Sequence, residues 1–479
     1  MTFNKKTGVK AVSAALAMVC GMAVSTHAAA AATIVINNLN AAGVGFNETT
    51  PAAPVGGNNG TTVGEQRLIA FTHAANIWGA TLTSSVPILI NAQFTPLTCT
   101  ATGATLGSAG ATQVFTLNGV PGTKPDTLYS YALTNKLIGE EALDGRAQIN
   151  ARFNSELGKP GCLTGTSFYL GLDANHGANI DFVTTLLHEM GHGLGFQTFT
   201  NGASGAQLAN KPSIWDHYLL DNTTNKLWKD MVDSERVASS LKPEGLSWTG
   251  SRVVAAAPNV LAHANTLRIS GPSAGAAAGD QQSGSADFGP ALTTTPMTGQ
   301  VMPVVDQADG TGLACTALSA SNALAVRGNI ALVNRGACAF TIKVKNAQNA
   351  GAVAVLVANN AVEAISGLGG ADASITIPSV RITKEEGAAL LTALAKRSRT
   401  ASGVYATLGL SPTLLAGSDS LGRPTMYTPN PYQPGSSVSH YNTSARRNQL
   451  MEPAISADLT HSPTLPLDLT FELLKDIGW

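Results

Sequence analysis

Residues 186–200, "LLHEMGHGLGFQTFT", carry two histidines four positions apart, His188 and His192, with Glu189 directly after the first. On an α-helix that spacing puts both imidazoles on one face, one turn apart, where they can grip a single Zn²⁺. Glu189 then lies close enough to take a proton from a water polarised by that metal. Val183, Leu186, Leu187, Met190 and Leu194 recur at helical spacing and form an apolar stripe on roughly the opposite side. Asn179 or Asp181 is the expected N-cap, and Gly193 and Gly195 are expected to end the helix. The stretch therefore predicts a helix that buries one face and presents two metal ligands from the other.

A catalytic zinc needs a third protein ligand and an open fourth place. In the extended pattern, with a glycine three residues after the second histidine, the third ligand would fall at 198, and that residue is Thr198. Another segment has to supply it. His440, in "SVSHYNTS", is the candidate, because "LMEP" with Met451 follows it closely. His73, His176, His217, His263 and His461 have no comparable setting. An acidic ligand, Glu235 or Asp216, is the rival reading.

Around this stretch the chain alternates strands and helices. "TIVINN", "VPILINAQF", "RAQINARFN" and "SFYLGLD" read as strands, and "EQRLIAFTHAANIWGATL" as a helix with Leu68, Phe71, Ala75 and Trp78 on one side. "SIWDHYLL" also looks helical. From about 265 the texture changes. "GNIALVNRG", "AVAVLVANN" and "ITIPSVRIT" are strands separated by the helix "AFTIKVKNAQNAG", which ends on Gly351. A second helix, "KEEGAALLTALAKR", follows. Such strand–helix–strand units predict a small α/β domain with its own sheet, inserted over 265–410. Residues 32–264 and 411–479 would then form one α+β unit, ending in the helix of "LPLDLTFELLKDIGW".

With 479 residues, 44% hydrophobic and 12% charged, the chain suits a folded, loop-rich protein of more than one domain. A net charge of −1 gives no footprint for nucleic acid. Lys5, Lys6 and Lys10, an apolar run and the small residues of "STHAAAAAT" read as an export signal over 1–31. That run is too short to span a bilayer, and no other apolar run is long enough. Secretion, extracellular or periplasmic, is expected. Cys20 leaves with the signal, so Cys99, Cys162, Cys315 and Cys338 remain. An even number in an oxidising compartment suggests two disulfides, and pairing within each neighbouring couple fits the domain division.

"HEMGHGLGF" with the distant "SH" and then "LMEP" resembles the leishmanolysin-like branch of the metzincin metalloproteases. The resemblance implies a twisted mixed sheet with a metal-binding helix. It makes His188, His192 and His440 the ligands of one catalytic Zn²⁺ and Glu189 the general base. Met451 becomes the turn methionine, and Gly195 the glycine that turns the chain beneath the metal. Pro453 stands where some metzincins place a catalytic tyrosine, and Tyr441 is expected to pack rather than react. Residues 320–360 resemble a protease-associated (PA) domain. Calcium is not indicated.

The expected function is a secreted zinc metalloendopeptidase, acting as a monomer on proteins or peptides laid along an edge strand, for which 167–173 is the candidate. The alternative is a non-catalytic binding or adhesion module with a structural or degenerate zinc site. Intact Glu189 speaks against that alternative, since a structural site needs no base.

Overall fold

The computed structural model describes residues 31–305, 307–362, 365, 367–456 and 458–479. The export signal expected at 1–31 lies, but for Ala31, outside them.

The sheet that carries the site grows from four strands: β1 (Ile34–Asn38), β2 (Ile88–Thr95), β3 (Gly107–Ala111) and β4 (Ile149–Asn154), in the order β1-β2-β4-β3. β1, β2 and β4 run parallel, whereas β3 joins β4 antiparallel and forms the sheet's outer edge. β2 alternates buried and half-buried residues along its length, as expected of a strand with one face on a core. That face packs on α1 (Val63–Thr81) and α2 (Phe182–Leu194). α1 starts at a reciprocal capping box. Thr62 Oγ1 accepts from the Glu65 amide and Glu65 Oε2 accepts from the Thr62 amide, both at 3.2 Å. The predicted helical side of α1 holds, with Phe71, Ala75 and Trp78 buried, and the Trp78 indole donates to the Leu187 carbonyl of α2 at 3.0 Å. Phe46, Phe94, Phe153 and Phe182 meet in edge-on and tilted pairs between these layers.

The inserted segment has its own sheet. β5 (His263–Ser270) and β10 (Tyr405–Leu415) pair antiparallel as its first and last long strands. Between them lie β6 (Met297–Pro303), β7 (Ile330–Asn334), β8 (Ala354–Ala358) and β9 (Ser379–Ile382), adjacent in the order β5-β10-β6-β7-β8-β9. Two short strands, Gly279–Gln281 and Gly284–Ser285, extend the ends of that row. α3 (Phe340–Asn349) links the parallel strands β7 and β8, and α4 (Lys384–Leu394) follows β9, as anticipated. β8 is buried along its whole length, the pattern of a strand covered on both faces. Two apolar cores form inside this segment, separate from the one around α2.

Both expected disulfides are present: Cys99 with Cys162, and Cys315 with Cys338. The chain then returns to the first core and ends in α5 (Thr470–Ile477). Two local expectations change. "SFYLGLD" contributes only the two-residue strand Phe168–Tyr169, paired with Ile180–Asp181, and "SIWDHYLL" forms a single 3₁₀ turn followed by a short strand. Among the described residues no helix is long and apolar enough to cross a membrane.

Candidate metal centre

α2 begins at Asp181, whose Oδ1 accepts from the Thr184 amide at 2.9 Å; of the two expected caps, Asp181 is the one used. All thirteen of its residues are buried, the face carrying His188 and His192 included. Gly193 does not end the helix. It lies inside it, and a Cβ there would sit 2.4 Å from Ile149 Cγ2 of β4. Gly195 is the C-cap, at φ +121°, a conformation that favours glycine. Trp479 closes that end, its indole donating to the Leu194 carbonyl at 2.8 Å.

His188 and His192 meet His440 from the C-terminal segment. The Nε2 atoms lie 3.2 Å (188–192), 3.1 Å (192–440) and 3.3 Å (188–440) apart. Each Nδ1 faces a backbone carbonyl: Leu450 for His188, Phe196 for His192 and Ser436 for His440, at 2.7, 2.8 and 2.7 Å. A carbonyl can only accept, so each Nδ1 carries the proton and each Nε2 keeps a bare lone pair. Burial drives the same state, pushing His188 down to about 4, His192 to about 3 and His440 well below the ordinary value. Three lone pairs converging in this way repel one another and are satisfied by a cation. A tetrahedral ion at about 2.0–2.1 Å from each nitrogen requires edges of about 3.3–3.4 Å, so the donor set fits such an ion. No other trio of metal-ligating side chains converges in this way among the described residues.

Glu189 sits beside the triad and is 6% exposed. Burial pushes its carboxyl up to about 8, against the pull of a hydrogen bond from the Ala109 backbone. Its approach to β3 is close: a Cβ at Gly107 would lie 2.7 Å from Glu189 Oε1. Met451 packs under α2, against Gly191, where a Cβ would come within 2.6 Å of its Sδ.

The triad and Glu189 open into a cleft of about 1030 Å³. One wall is β3 with the loop before it, including Thr98 and Thr100. The Cys99–Cys162 bridge staples that loop to residues around Leu163. The other wall comes from Thr198, Thr200, Tyr432 and 434–437. The edge strand at this cleft is therefore β3, not 167–173. "GSAGA" gave no signal of it, because glycine, alanine and serine carry no strand propensity.

The rival ligands lie elsewhere. Asp216 is fully buried behind the wall, accepting from Thr198 and Thr200 hydroxyls at 2.7 and 2.6 Å, and Glu235 pairs with Lys226 on the surface. His176 bonds the Asn179 carbonyl, and His217 the Thr127 hydroxyl. His461, read as isolated, places Nε2 2.9 Å from the Asp181 cap. Tyr441 is packed, with its hydroxyl on the Leu469 carbonyl.

Residues 297–390 match the family of the PA domain, so this chain contains one. No curated protein matches the chain in sequence. Partial likenesses among solved structures include a zinc aminopeptidase from Bacillus subtilis, at 25% identity over 33% of this chain and 36% of that one, with a TM-score of 0.21. An aminopeptidase from Aneurinibacillus sp. strain AM-1 is 19% identical over 41% of each chain, with a TM-score of 0.22. The subtilisin-like protease Apa1 from Pseudoalteromonas sp. AS-11 is 18% identical over 31% of this chain and 33% of that one, with a TM-score of 0.20. The chain thus spans about a third to two-fifths of these proteins, and at such scores the likeness carries no argument about the metal centre.

Proposed function

We propose that the chain is an exported zinc endopeptidase of metzincin type, its catalytic unit formed by 32–264 and 411–479 and interrupted by the PA-containing insertion at 265–410. One observation carries the reading: three neutral imidazoles converge at tetrahedral spacing on the floor of an open cleft, with a carboxyl beside them. His188, His192 and His440 would hold the metal. When bound, Zn²⁺ supplies a Lewis acid that polarises the scissile carbonyl and makes water more acidic.

The chain's own residues do the rest. Glu189 takes the proton of the attacking water and delivers it to the leaving amine. Burial alone would leave its carboxyl protonated at neutral pH, and a neighbouring dication counters that push. β3, unpaired along its outer edge, orients an extended substrate main chain to main chain. The carbonyls on the three Nδ1 atoms hold the imidazoles in the ligating tautomer. A purely structural zinc would be closed by a fourth protein ligand, and the open cleft over the triad favours catalysis.

The test combines metal analysis with hydrolysis of casein. The purified chain should hold one zinc, lose activity to a chelator and regain it with added zinc. Glu189→Gln should keep the metal and lose hydrolysis, whereas His440→Ala should lose both. Casein cleavage at the parental rate by Glu189→Gln would refute the base. Full zinc retention by His440→Ala would refute the ligand set.

A further inference from the structure

The cleft is unusual in its chemistry. Glu189 is the one charged side chain among the described residues that line it. The walls otherwise carry hydroxyls, small residues and a few aliphatic ones, with no lysine, arginine or aspartate. Along the walls away from Glu189 and the triad, a charged side chain leaves water and finds no opposite charge, which costs far more than burying a neutral polar group that can meet a hydroxyl. The cleft therefore discriminates by what it withholds.

One polar group in the wall is left over. The Gln197 amide nitrogen is buried and has no hydrogen-bond partner. Gln197 lines the cleft and lies against β3, where a Cβ on Gly110 would be 3.4 Å from its Oε1 and 3.8 Å from its Nε2. Its backbone is held on both sides. The Phe196 carbonyl accepts from His192 Nδ1, and the Thr198 amide donates to Ser439 Oγ at 3.2 Å. The neighbouring hydroxyls of Thr198 and Thr200 are already engaged by Asp216. The Gln197 amide is thus an unpaired donor beside the edge strand, and leaving such a donor buried and unpaired costs about 1–3 kcal/mol.

We propose that the cleft takes extended peptide segments without charged side chains, and that the Gln197 amide donates to an oxygen of the segment, either a main-chain carbonyl or a neutral side-chain amide or hydroxyl. This deepens the reading of the site as peptide-hydrolysing and rests on it. Gln197 is a specificity residue here, acting on substrate affinity rather than on the proton transfer.

Binding is measured separately from turnover. The zinc-loaded full-length Glu189→Gln chain is titrated, by fluorescence anisotropy, with a labelled extended peptide of Ala, Ser, Thr and Gly. Matched peptides carry Lys or Asp at the central positions. The neutral peptide should bind at least tenfold more tightly than either charged one. Adding Gln197→Leu should weaken the neutral peptide about tenfold at unchanged zinc content. Adding Gln197→Glu should weaken it further and raise affinity for the Lys peptide. In the chain with Glu189 intact, Gln197→Leu should raise KM and leave kcat within about twofold. Equal affinity for neutral and charged peptides would overturn the selection, and an unchanged affinity in Gln197→Leu would overturn the role of the amide. If the charge preference is found but the intact chain cleaves none of these peptides, the hydrolase reading falls and the selectivity of the cleft stands.

Discussion

Glu452 offers a sharp test of how the turn beneath the metal helix is built. It is 3% exposed, and its Oε1 accepts the Gln449 amide at 2.8 Å, closing the four-residue turn that presents Met451 to α2. Burial pushes its carboxyl up to about 8 from an ordinary value of 4.5, with Asp458 and Asp468 adding to the push and Arg446 opposing it. A carboxyl raised in this way holds its proton in the folded state over a range where the unfolded chain has lost it. Its contribution to stability is complete below about 4.5 and disappears as pH rises through about 8. At 1.36 kcal/mol per pKa unit, the gap from 4.5 to about 8 sets an upper bound of about 5 kcal/mol. Glu452→Gln keeps a carbonyl oxygen for the Gln449 amide and removes the titration. The variant should match the parent near pH 4.5 and exceed it at pH 8.5, by up to about 10 °C in Tm for a unit of this size. Thermal unfolding at saturating zinc, at four pH values from 4.5 to 8.5, measures this. A stability difference that does not grow with pH, or a variant less stable at pH 8.5, would refute the argument.

Gly191→Ala should destabilise by about 1–2 kcal/mol, because overpacking against Met451 Sδ outweighs the gain in helix propensity; a raised urea midpoint would contradict it. Cys99→Ser together with Cys162→Ser should cost up to about 4 kcal/mol and hasten proteolytic nicking of the loop before β3, read by denaturant melts and limited digestion. Joining Asn265 to Leu410, which face each other across β5 and β10, through a two-residue Asn-Gly turn should retain one zinc per chain, and loss of the metal would show that the insertion builds the site.

The parts legible in the sequence are those whose chemistry has a short-range pattern. Histidines at i and i+4 announced α2, helical spacing announced α1, and apolar runs between turn residues announced β7, β8 and β9. His440 was legible only through its company, the following methionine turn. What was not legible depends on contacts distant in sequence. β3 is a strand because β4 pairs with it, and its small residues admit Glu189 and Gln197, so the composition that hides it is what the site requires. "SFYLGLD" has the opposite character. Its composition is strand-like, yet Tyr169 and Asn175 both bond Asp173 and draw the segment into a turn after two residues. Gly193 looked like a terminator because glycine often ends helices, but contact with Ile149 from β4 demands it inside one.

His440 as the proposed third ligand raises a question of precision, since metal geometry tolerates errors of a few tenths of an ångström and His440 follows an insertion of well over a hundred residues. The supports of His440 come from outside that insertion. Its Nδ1 donates to Ser436, its carbonyl accepts from the Tyr427 amide at 2.9 Å, and the next amide, Tyr441, donates to the Met451 carbonyl at 2.8 Å. Val438 before it takes a left-handed backbone, φ +73°, which costs a β-branched residue about 1–3 kcal/mol. Two bonds hold it there: its amide donates to Tyr427, and its carbonyl accepts from the Trp215 indole at 3.2 Å. Trp215, fully buried, belongs to the segment that follows α2. The third imidazole is thus referenced to the same core that fixes the first two. The chain leaves for the insertion and returns from it through a pair of strands, and their register across His263 and Leu415 makes that detour short at its base.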